Sequence, residues 1–157
     1  MWQVIVAAPL IALLVAAVLP LVLLIWVWHS TVSLWLISHA RLKWPPHTVA
    51  LVAYTNSAKW APYIERQLLP LIGGSCVVVN RSEPNWKAKF PLEARVLRHW
   101  GGHLNYNPIT IVFPRRGRAR VFRLYRPFLN NYHGKPEALT SAITELTATV
   151  ERLANVT

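Results

Sequence analysis

Thiol and acid–base chemistry have little material in this chain. Its 157 residues contain one cysteine, Cys76, and six glutamates, with no aspartate. Cys76 lies in the apolar stretch 75–80, and burial there would raise the pKa of the thiol and make it inert. Metal-assisted phosphoryl or glycosyl transfer needs clustered carboxylates, which this composition does not supply. We therefore expect no catalytic residue, no cofactor and no metal site.

Histidine offers one arrangement that suits metal binding. His99 and His103 are four residues apart, the spacing that places two ligands on one face of a helix. Gly101 and Gly102 lie between them and are expected to end that helix, and no third ligand of Cys or Asp type is nearby. We interpret the pair as structural.

Arginine is the residue type with the clearest clustering, on a chain of net charge +11. Such a cluster could pair with carboxylates of an acidic protein surface, for which the guanidinium fork is suited. It could contact anionic lipid headgroups or nucleic acid, or simply keep an edge strand soluble. We favour a solvated edge or partner surface, then the membrane surface, and consider nucleic acid the weakest alternative. The predicted contact residues are Arg115, Arg116, Arg118, Arg120, Arg123 and Arg126.

A second polar set follows the first predicted strand and recurs in two later loops. Open α/β sheets bind ligands at the carboxyl ends of their strands, so these residues form a candidate pocket. They do not supply a nucleophile, a base and an orienting group as a set. The candidate pocket residues are Tyr54, Asn56, Ser57, Lys59, Asn107 and His133.

The elements that position these residues begin with an uncharged apolar stretch, residues 4–28, and no charged side chain precedes Arg41. About 20 apolar helical residues cross a bilayer core. A cleaved signal peptide would have a basic start and a small-residue cleavage site, and neither is present. The sequence predicts a single transmembrane anchor over residues 1–30.

Residues 31–46 are expected to form an interfacial linker that Pro45 and Pro46 end. All 17 Lys and Arg follow the apolar stretch, with Arg41 and Lys43 the nearest. By the positive-inside rule the N-terminus lies outside and the rest of the chain is cytoplasmic. Tryptophan favours the headgroup region, and the residues predicted to lie at the membrane interface are Trp26, Trp28, Trp35 and Trp44.

Residues 47–157 have the size of one small basic α/β domain. Apolar runs of strand length occupy 48–55, 75–80 and 109–113, and residues 119–128 are predicted to complete a hairpin with the third. Helical spacing marks Trp60, Ile64, Leu68 and Leu71, then a helix from Pro91 and a last helix from Pro136. The predicted order is βαβαββα.

This order resembles the thioredoxin-like fold over about residues 48–153. Asn107-Pro108-Ile109-Thr110 is similar to the cis-proline segment of that family, and Ala61-Pro62 is placed like a proline of thioredoxins. Set on that proline, the family's Cys-x-x-Cys would fall on Tyr54-Thr55-Asn56-Ser57, which lacks both cysteines. The resemblance therefore implies the fold without dithiol exchange, which needs two thiols.

These features predict a membrane-anchored, non-catalytic accessory or scaffold protein, a subunit or assembly factor of a membrane complex. Its expected partners are the lipid bilayer, a membrane protein and anionic lipid. Two alternatives stay open. One is a membrane-tethered enzyme whose site lies at the end of the first strand, and the other is a membrane-tethered nucleic-acid binder.

Overall fold

The computed structural model describes residues 2–102, 107–114 and 117–155, with side chains described from residue 16 onward. Its residues form two compact units, Met1–Leu36 and Ile37–Thr157. The first unit consists of helix α1, Trp2–Lys43, whose last seven residues belong to the second. The second unit holds all of the strands in the described ranges.

Helix α1 is apolar and exposed through most of the first unit. Large apolar side chains from Val18 to Trp28 are all at least 46% exposed. The hydroxyl groups of Thr31 and Ser33 donate to the carbonyl oxygens of Val27 and His29, at 2.9 and 2.8 Å, which satisfies them inside the helix as a lipid environment requires. Within the described residues, this helix is long and apolar enough to span a membrane. The segment predicted as an interfacial linker is helical as far as Lys43.

Four strands form one mixed sheet, as an α/β domain requires. They are β1 (Ala50–Tyr54), β2 (Cys76–Asn80), β3 (Ile109–Val112) and β4 (Arg120–Arg123). The strand order is β2-β1-β3-β4, with β1 parallel to β2 and antiparallel to β3, and with β3 antiparallel to β4. The predicted α/β class is confirmed.

The register of the strands defines two edges of the sheet. Ala50 lies opposite both Cys76 and Val112, and Val112 lies opposite Arg120. We call this end, where β1 and β2 begin, the amino edge. Tyr54 and Asn80 end β1 and β2 at the other end, which we call the carboxyl edge.

The fourth strand is shorter than predicted. It ends at Arg123, and residues 125–128 belong to helix α6, Tyr125–Tyr132. Leu124 and Phe128 are four residues apart and both are buried, which is a helical spacing within an otherwise strand-like run. Pro127 lies in the first turn of α6, where its missing N–H group is tolerated.

The segment between β1 and β2 contains two short α-helices, a turn of π-helix and a 3₁₀ turn. Helix α2 (Ala61–Tyr63), the π-turn Ile64–Leu68 and helix α3 (Leu69–Ile72) lead to the 3₁₀ turn Gly73–Ser75. Leu71, predicted to face the core, is 63% exposed, and Ile72 is buried in its place. The π-turn has more residues per turn than an α-helix, so the buried residues Ile64, Leu68 and Ile72 follow one another at a spacing of four.

Two further helices follow β2, and one ends the described chain. These are α4 (Trp86–Lys89), α5 (Pro91–Gly101) and α7 (Glu137–Ala154). Pro91 begins α5 as predicted, because its missing N–H needs no helical partner there. Gly102 after α5 has a positive φ of 76°, whereas Gly73 and Gly74 after α3 lie in the 3₁₀ turn without one.

Apolar side chains bury both faces of the sheet. Ala50, Val52 and Tyr54 alternate along β1 and pack in one cluster with residues of α3, α6 and α7. Leu51 and Ala53 point to the opposite face, are fully buried and belong to the side on which α5 contacts β3. The central strand β1 is buried along its whole length, so its ends alone can contribute to a surface site.

Candidate functional site

The carboxyl edge of the sheet brings polar side chains from three loops together. The loops after β1 and β2 begin there because the two strands are parallel, and β3 starts there because it is antiparallel to β1. Asn107 and Pro108 directly precede β3, are both buried, and are joined by a cis peptide bond. The edge therefore gathers Tyr54, Asn80, Arg81 and Asn107.

Tyr54 is a hydrogen-bond donor at this edge. Its hydroxyl group donates to Oε1 of Glu65 at 2.9 Å. Burial and then the Glu65 carboxylate raise the pKa of Tyr54 to about 12, because both disfavour the phenolate. The phenol is protonated at neutral pH and is unsuited to act as a base.

Asn56 and Asn80 connect the two loops that follow β1 and β2. Asn80 Nδ2 donates to Asn56 Oδ1 at 2.5 Å, and the Asn56 backbone N–H donates to Ser82 Oγ at 2.9 Å. The Ser82 N–H donates in turn to Asn80 Oδ1 at 3.0 Å. These bonds hold the loops in one arrangement and leave the amide groups engaged with each other.

Arg81 is the cation of the carboxyl edge. Its Nη1 donates to Asn107 Oδ1 at 2.9 Å, and its guanidinium carbon lies 5.3 Å from the centroid of the Trp86 ring. Its backbone N–H donates to the carbonyl oxygen of Tyr54 at 2.7 Å. Burial lowers the pKa of Arg81, yet guanidinium groups stay charged in proteins. Sequence reasoning missed Arg81, although it directly follows a strand that ends at the predicted edge.

The remaining candidate pocket residues meet around Tyr132, at the end of α6. Lys59 Nζ lies 4.9 Å from the centroid of the Tyr132 ring, and the His133 ring packs edge-on to the same ring at 5.6 Å. The Lys59 backbone N–H donates to Ser57 Oγ at 3.4 Å. The predicted pocket set thus divides into a group around Arg81 and a group around Tyr132.

Cys76 lies far from these groups along the strand direction. It begins β2 at the amino edge, whereas Asn80 ends the same strand at the carboxyl edge. Burial raises the pKa of Cys76 to about 12, so the thiol is protonated at neutral pH. A thiol in that state is a poor nucleophile.

The described members of the arginine cluster lie in the turn before β4, on β4 and on α6. Arg120, at the start of β4, pairs with Glu145 at 2.7 Å. Arg123, at the end of β4, directs Nη2 to the carbonyl oxygen of Trp100 at 3.5 Å. Arg118 lies in the turn before β4, and Arg126 is exposed on α6. Arg120 and Arg123 thus lie at opposite ends of the four-residue strand β4, and Arg126 lies on the helix that follows. Arg115 and Arg116 lie outside the described residues.

Three of the four predicted interface tryptophans are exposed on α1. Trp26, Trp28 and Trp35 are 59%, 70% and 45% exposed. Trp44 is different, because it is 8% exposed and its Nε1 donates to Glu93 Oε1 at 2.6 Å. Trp44 therefore belongs to the core of the second unit, and its predicted place at the headgroups is corrected.

Glu93 is the hydrogen-bond partner of Trp44, and the sequence pattern did not indicate it. It lies in the first turn of α5 and is 8% exposed, whereas charged residues of an amphipathic helix usually lie on its solvated face. Its carboxylate accepts the indole N–H of a residue 49 positions earlier. The pair ties the chain that leaves α1 to the body of the domain.

Within the ranges that the structure describes, no group of three or more His, Cys, Asp or Glu side chains could hold a metal ion. His103, one member of the histidine pair considered above, lies outside those ranges. Comparisons with protein-family models, curated proteins and solved structures found no match to this chain. Its function is inferred from the geometry of the described side chains.

Proposed function

We propose that this protein is a membrane-anchored, non-catalytic accessory or scaffold subunit that contacts a membrane-protein partner through its basic α/β domain. The main support is the exposed apolar surface of α1 joined to a domain with its own sheet and core. An apolar surface of this length is costly in water and stable in lipid.

The polar carboxyl edge supports a structural role for most of its side chains. Tyr54 and Ser57 stand where the thioredoxin-like resemblance would place catalytic cysteines. Tyr54 donates to Glu65, and Ser57 Oγ accepts from the Lys59 backbone N–H. The raised pKa of Tyr54 and of Cys76 keeps both groups protonated at neutral pH, so neither favours nucleophilic chemistry.

We also propose that the domain has a thioredoxin-like fold. The strand order β2-β1-β3-β4, with β3 antiparallel to both neighbours, supports it. So does the position of Asn107 and Pro108 immediately before β3. A solution structure of the full chain in detergent micelles tests the proposal, and a different strand order would contradict it.

Co-purification in mild detergent tests the scaffold function. We expect the tagged full chain to elute with a membrane protein in fixed stoichiometry. Arg123 and Arg126 are exposed outside the membrane segment, so Arg123→Gln with Arg126→Gln should reduce recovery of the partner. Arg66→Gln with Lys87→Gln removes the same charge elsewhere and should not. A chain that elutes alone from native membranes contradicts the proposal.

One observation favours the enzyme alternative, namely the convergence of Tyr54, Arg81 and Asn107 at the carboxyl edge. A binding site for an anionic substrate would use this cation and amide. The alternative requires turnover by the purified chain that Asn107→Ala removes while the circular dichroism spectrum is unchanged. Without such turnover, the scaffold function stands.

A further inference from the structure

The turn between β3 and β4 is attached to the last turn of α1, and both belong to the second compact unit. Arg41 Nη2 donates to the carbonyl oxygen of Pro114 at 2.9 Å. Next to it, the Trp44 ring packs edge-on to Phe113 at 5.6 Å, and the Phe113 N–H donates to the Val49 carbonyl oxygen at 2.8 Å. These contacts fix the β3–β4 turn beside the chain that leaves α1.

This end of the domain presents cations. Arg41 is the first charged residue after the apolar stretch, and Arg41, Lys43 and Arg118 are all exposed. Neither Glu93 nor Glu145 is ion-paired with these three side chains in the described contacts, because Glu93 accepts from the Trp44 indole and Glu145 pairs with Arg120.

We propose that this basic end, formed by Arg41, Lys43 and Arg118, docks on anionic lipid headgroups. The inference rests on the proposed membrane anchoring. Lipid is favoured over an acidic protein because Arg41 and Lys43 lie in the last turn of the apolar helix, where a membrane-spanning chain meets the headgroups, and because the Arg41–Pro114 bond holds the segment that leads to Arg118 beside them. Each basic side chain near an anionic surface strengthens its attraction by about fivefold.

Spin labels on the full chain in lipid vesicles test the docking. The label is placed at Ala119→Cys, beside Arg118, in a Cys76→Ser background. A matched control label is placed at Ala88→Cys. Ala88 is exposed on α4, which follows β2 at the carboxyl edge of the sheet. Vesicles contain phosphatidylcholine alone or with phosphatidylglycerol, plus a trace of nickel-chelating lipid whose headgroup broadens the spectrum of a nearby label.

We expect phosphatidylglycerol to bring the label at position 119 to the nickel headgroups and to leave the label at 88 unaffected. Lys43→Gln with Arg118→Gln should weaken docking by about fivefold per charge, and high salt should weaken it as well. Arg66→Gln with Lys87→Gln, which removes equal charge elsewhere, should have no such effect.

Two results would overturn the inference. Broadening at position 119 that is independent of phosphatidylglycerol excludes recognition of anionic lipid. Equal broadening at 119 and 88 excludes docking through this end of the domain. In both cases flotation of the chain with vesicles of either composition would leave the membrane anchor intact, whereas a chain that does not float contradicts the anchor itself.

Discussion

At the scale of single residues, Trp44 and Glu93 depend on each other. A buried carboxylate is costly unless it is hydrogen-bonded, and the indole N–H of Trp44 satisfies Glu93 at 2.6 Å. Glu93→Ala leaves that N–H buried without its acceptor and should lower the free energy of unfolding by about 1–3 kcal/mol. Glu93→Gln keeps an acceptor oxygen and should cost less. Urea denaturation of the full chain in detergent, followed by circular dichroism, measures both.

The same pair shows a limit of sequence reasoning. A tryptophan near an apolar helix is typical of a membrane interface, and a glutamate on an amphipathic helix is typical of a solvated face. Each residue taken alone favours the wrong environment. Their partnership joins positions 44 and 93, and such long-range pairing has no periodic pattern in the sequence.

An equal loss of stability in the Gln and Ala variants would contradict the hydrogen-bonded role of Glu93.

Two weakly acidic groups, the buried Tyr54 and the half-buried Cys76, predict how stability depends on pH. Tyr54 and Cys76 have ordinary pKa values of 10.0 and 9.0, and burial raises both to about 12 in the folded chain. The unfolded chain therefore loses these protons first as the pH rises. The free energy of unfolding should be unaffected by these groups at neutral pH and should fall between about pH 9 and 12, by roughly 1–3 kcal/mol for each group at pH 11.

Denaturation of the full chain in detergent over this pH range provides the measurement. Cys76→Ala removes one titrating group, so its profile should be flatter than that of the wild type. Tyr54→Phe should flatten the profile separately. If both variants keep the wild-type slope, the buried thiol and phenol do not cause the alkaline loss of stability.

At the scale of elements, Gly102 has a backbone conformation that requires glycine, whereas Gly74 does not. Gly102 ends α5 with φ 76° and ψ −174°, a region that is accessible essentially only to glycine. Nothing lies within 4 Å of a Cβ added at Gly102 or at Gly74, so sterics with neighbours do not distinguish them. Gly102→Ala should cost about 1–3 kcal/mol of unfolding free energy.

Gly74→Ala is the matched control, because Gly74 lies in the 3₁₀ turn without a positive φ. That substitution should be neutral or stabilising by about 0.4–1 kcal/mol, since it reduces the entropy of the unfolded chain. Thermal unfolding of both variants in detergent gives the comparison. Equal destabilisation by the two substitutions would show that the backbone conformation of Gly102 is not the cause.

Some elements of this fold follow from local pattern and others do not. The first three strands are short apolar runs between turn residues, so their positions are predictable. The fourth was extended into α6 because Leu124 and Phe128 suit a strand as well as a helix. Leu71 was predicted on the buried face, but it is exposed because a π-turn changes the helical period. No residue pattern before the π-turn predicts that change.

The candidate site follows the same division. The rule that ligands meet strand ends of α/β sheets predicts Tyr54, Asn56 and Asn107 at one edge. In the structure, Arg81 joins Tyr54 and Asn107 at the carboxyl edge through its backbone and side chain, and Asn56 is bonded there to Asn80 and Ser82. Lys59 and His133, predicted for the same pocket, both contact Tyr132, the last residue of α6.

At the scale of the whole molecule, the charge distribution connects the two proposals. The described arginines of the predicted hairpin divide between the amino edge, the carboxyl edge and α6. The proposed lipid contact uses Arg41, Lys43 and Arg118 beside the end of α1. The proposed partner contact uses Arg123 and Arg126, which the length of β4 separates from the turn. The two surfaces can therefore be tested by separate variants.

Orientation across the membrane is the last prediction, and it follows from the absence of Lys and Arg before Arg41. We expect the domain to be cytoplasmic. In bacteria, a reporter fused after Thr157 that functions only in the cytoplasm should be active, and one that requires export should be inactive. In a glycosylating host, the sequon Asn155-Val156-Thr157 should stay unmodified. The second sequon, at Asn80, is a weaker probe because that side chain is bonded to Asn56. A glycan on Asn155 would show that the topology is the opposite of the one predicted. The domain would then lie outside, away from the anionic cytoplasmic leaflet on which lipid docking depends.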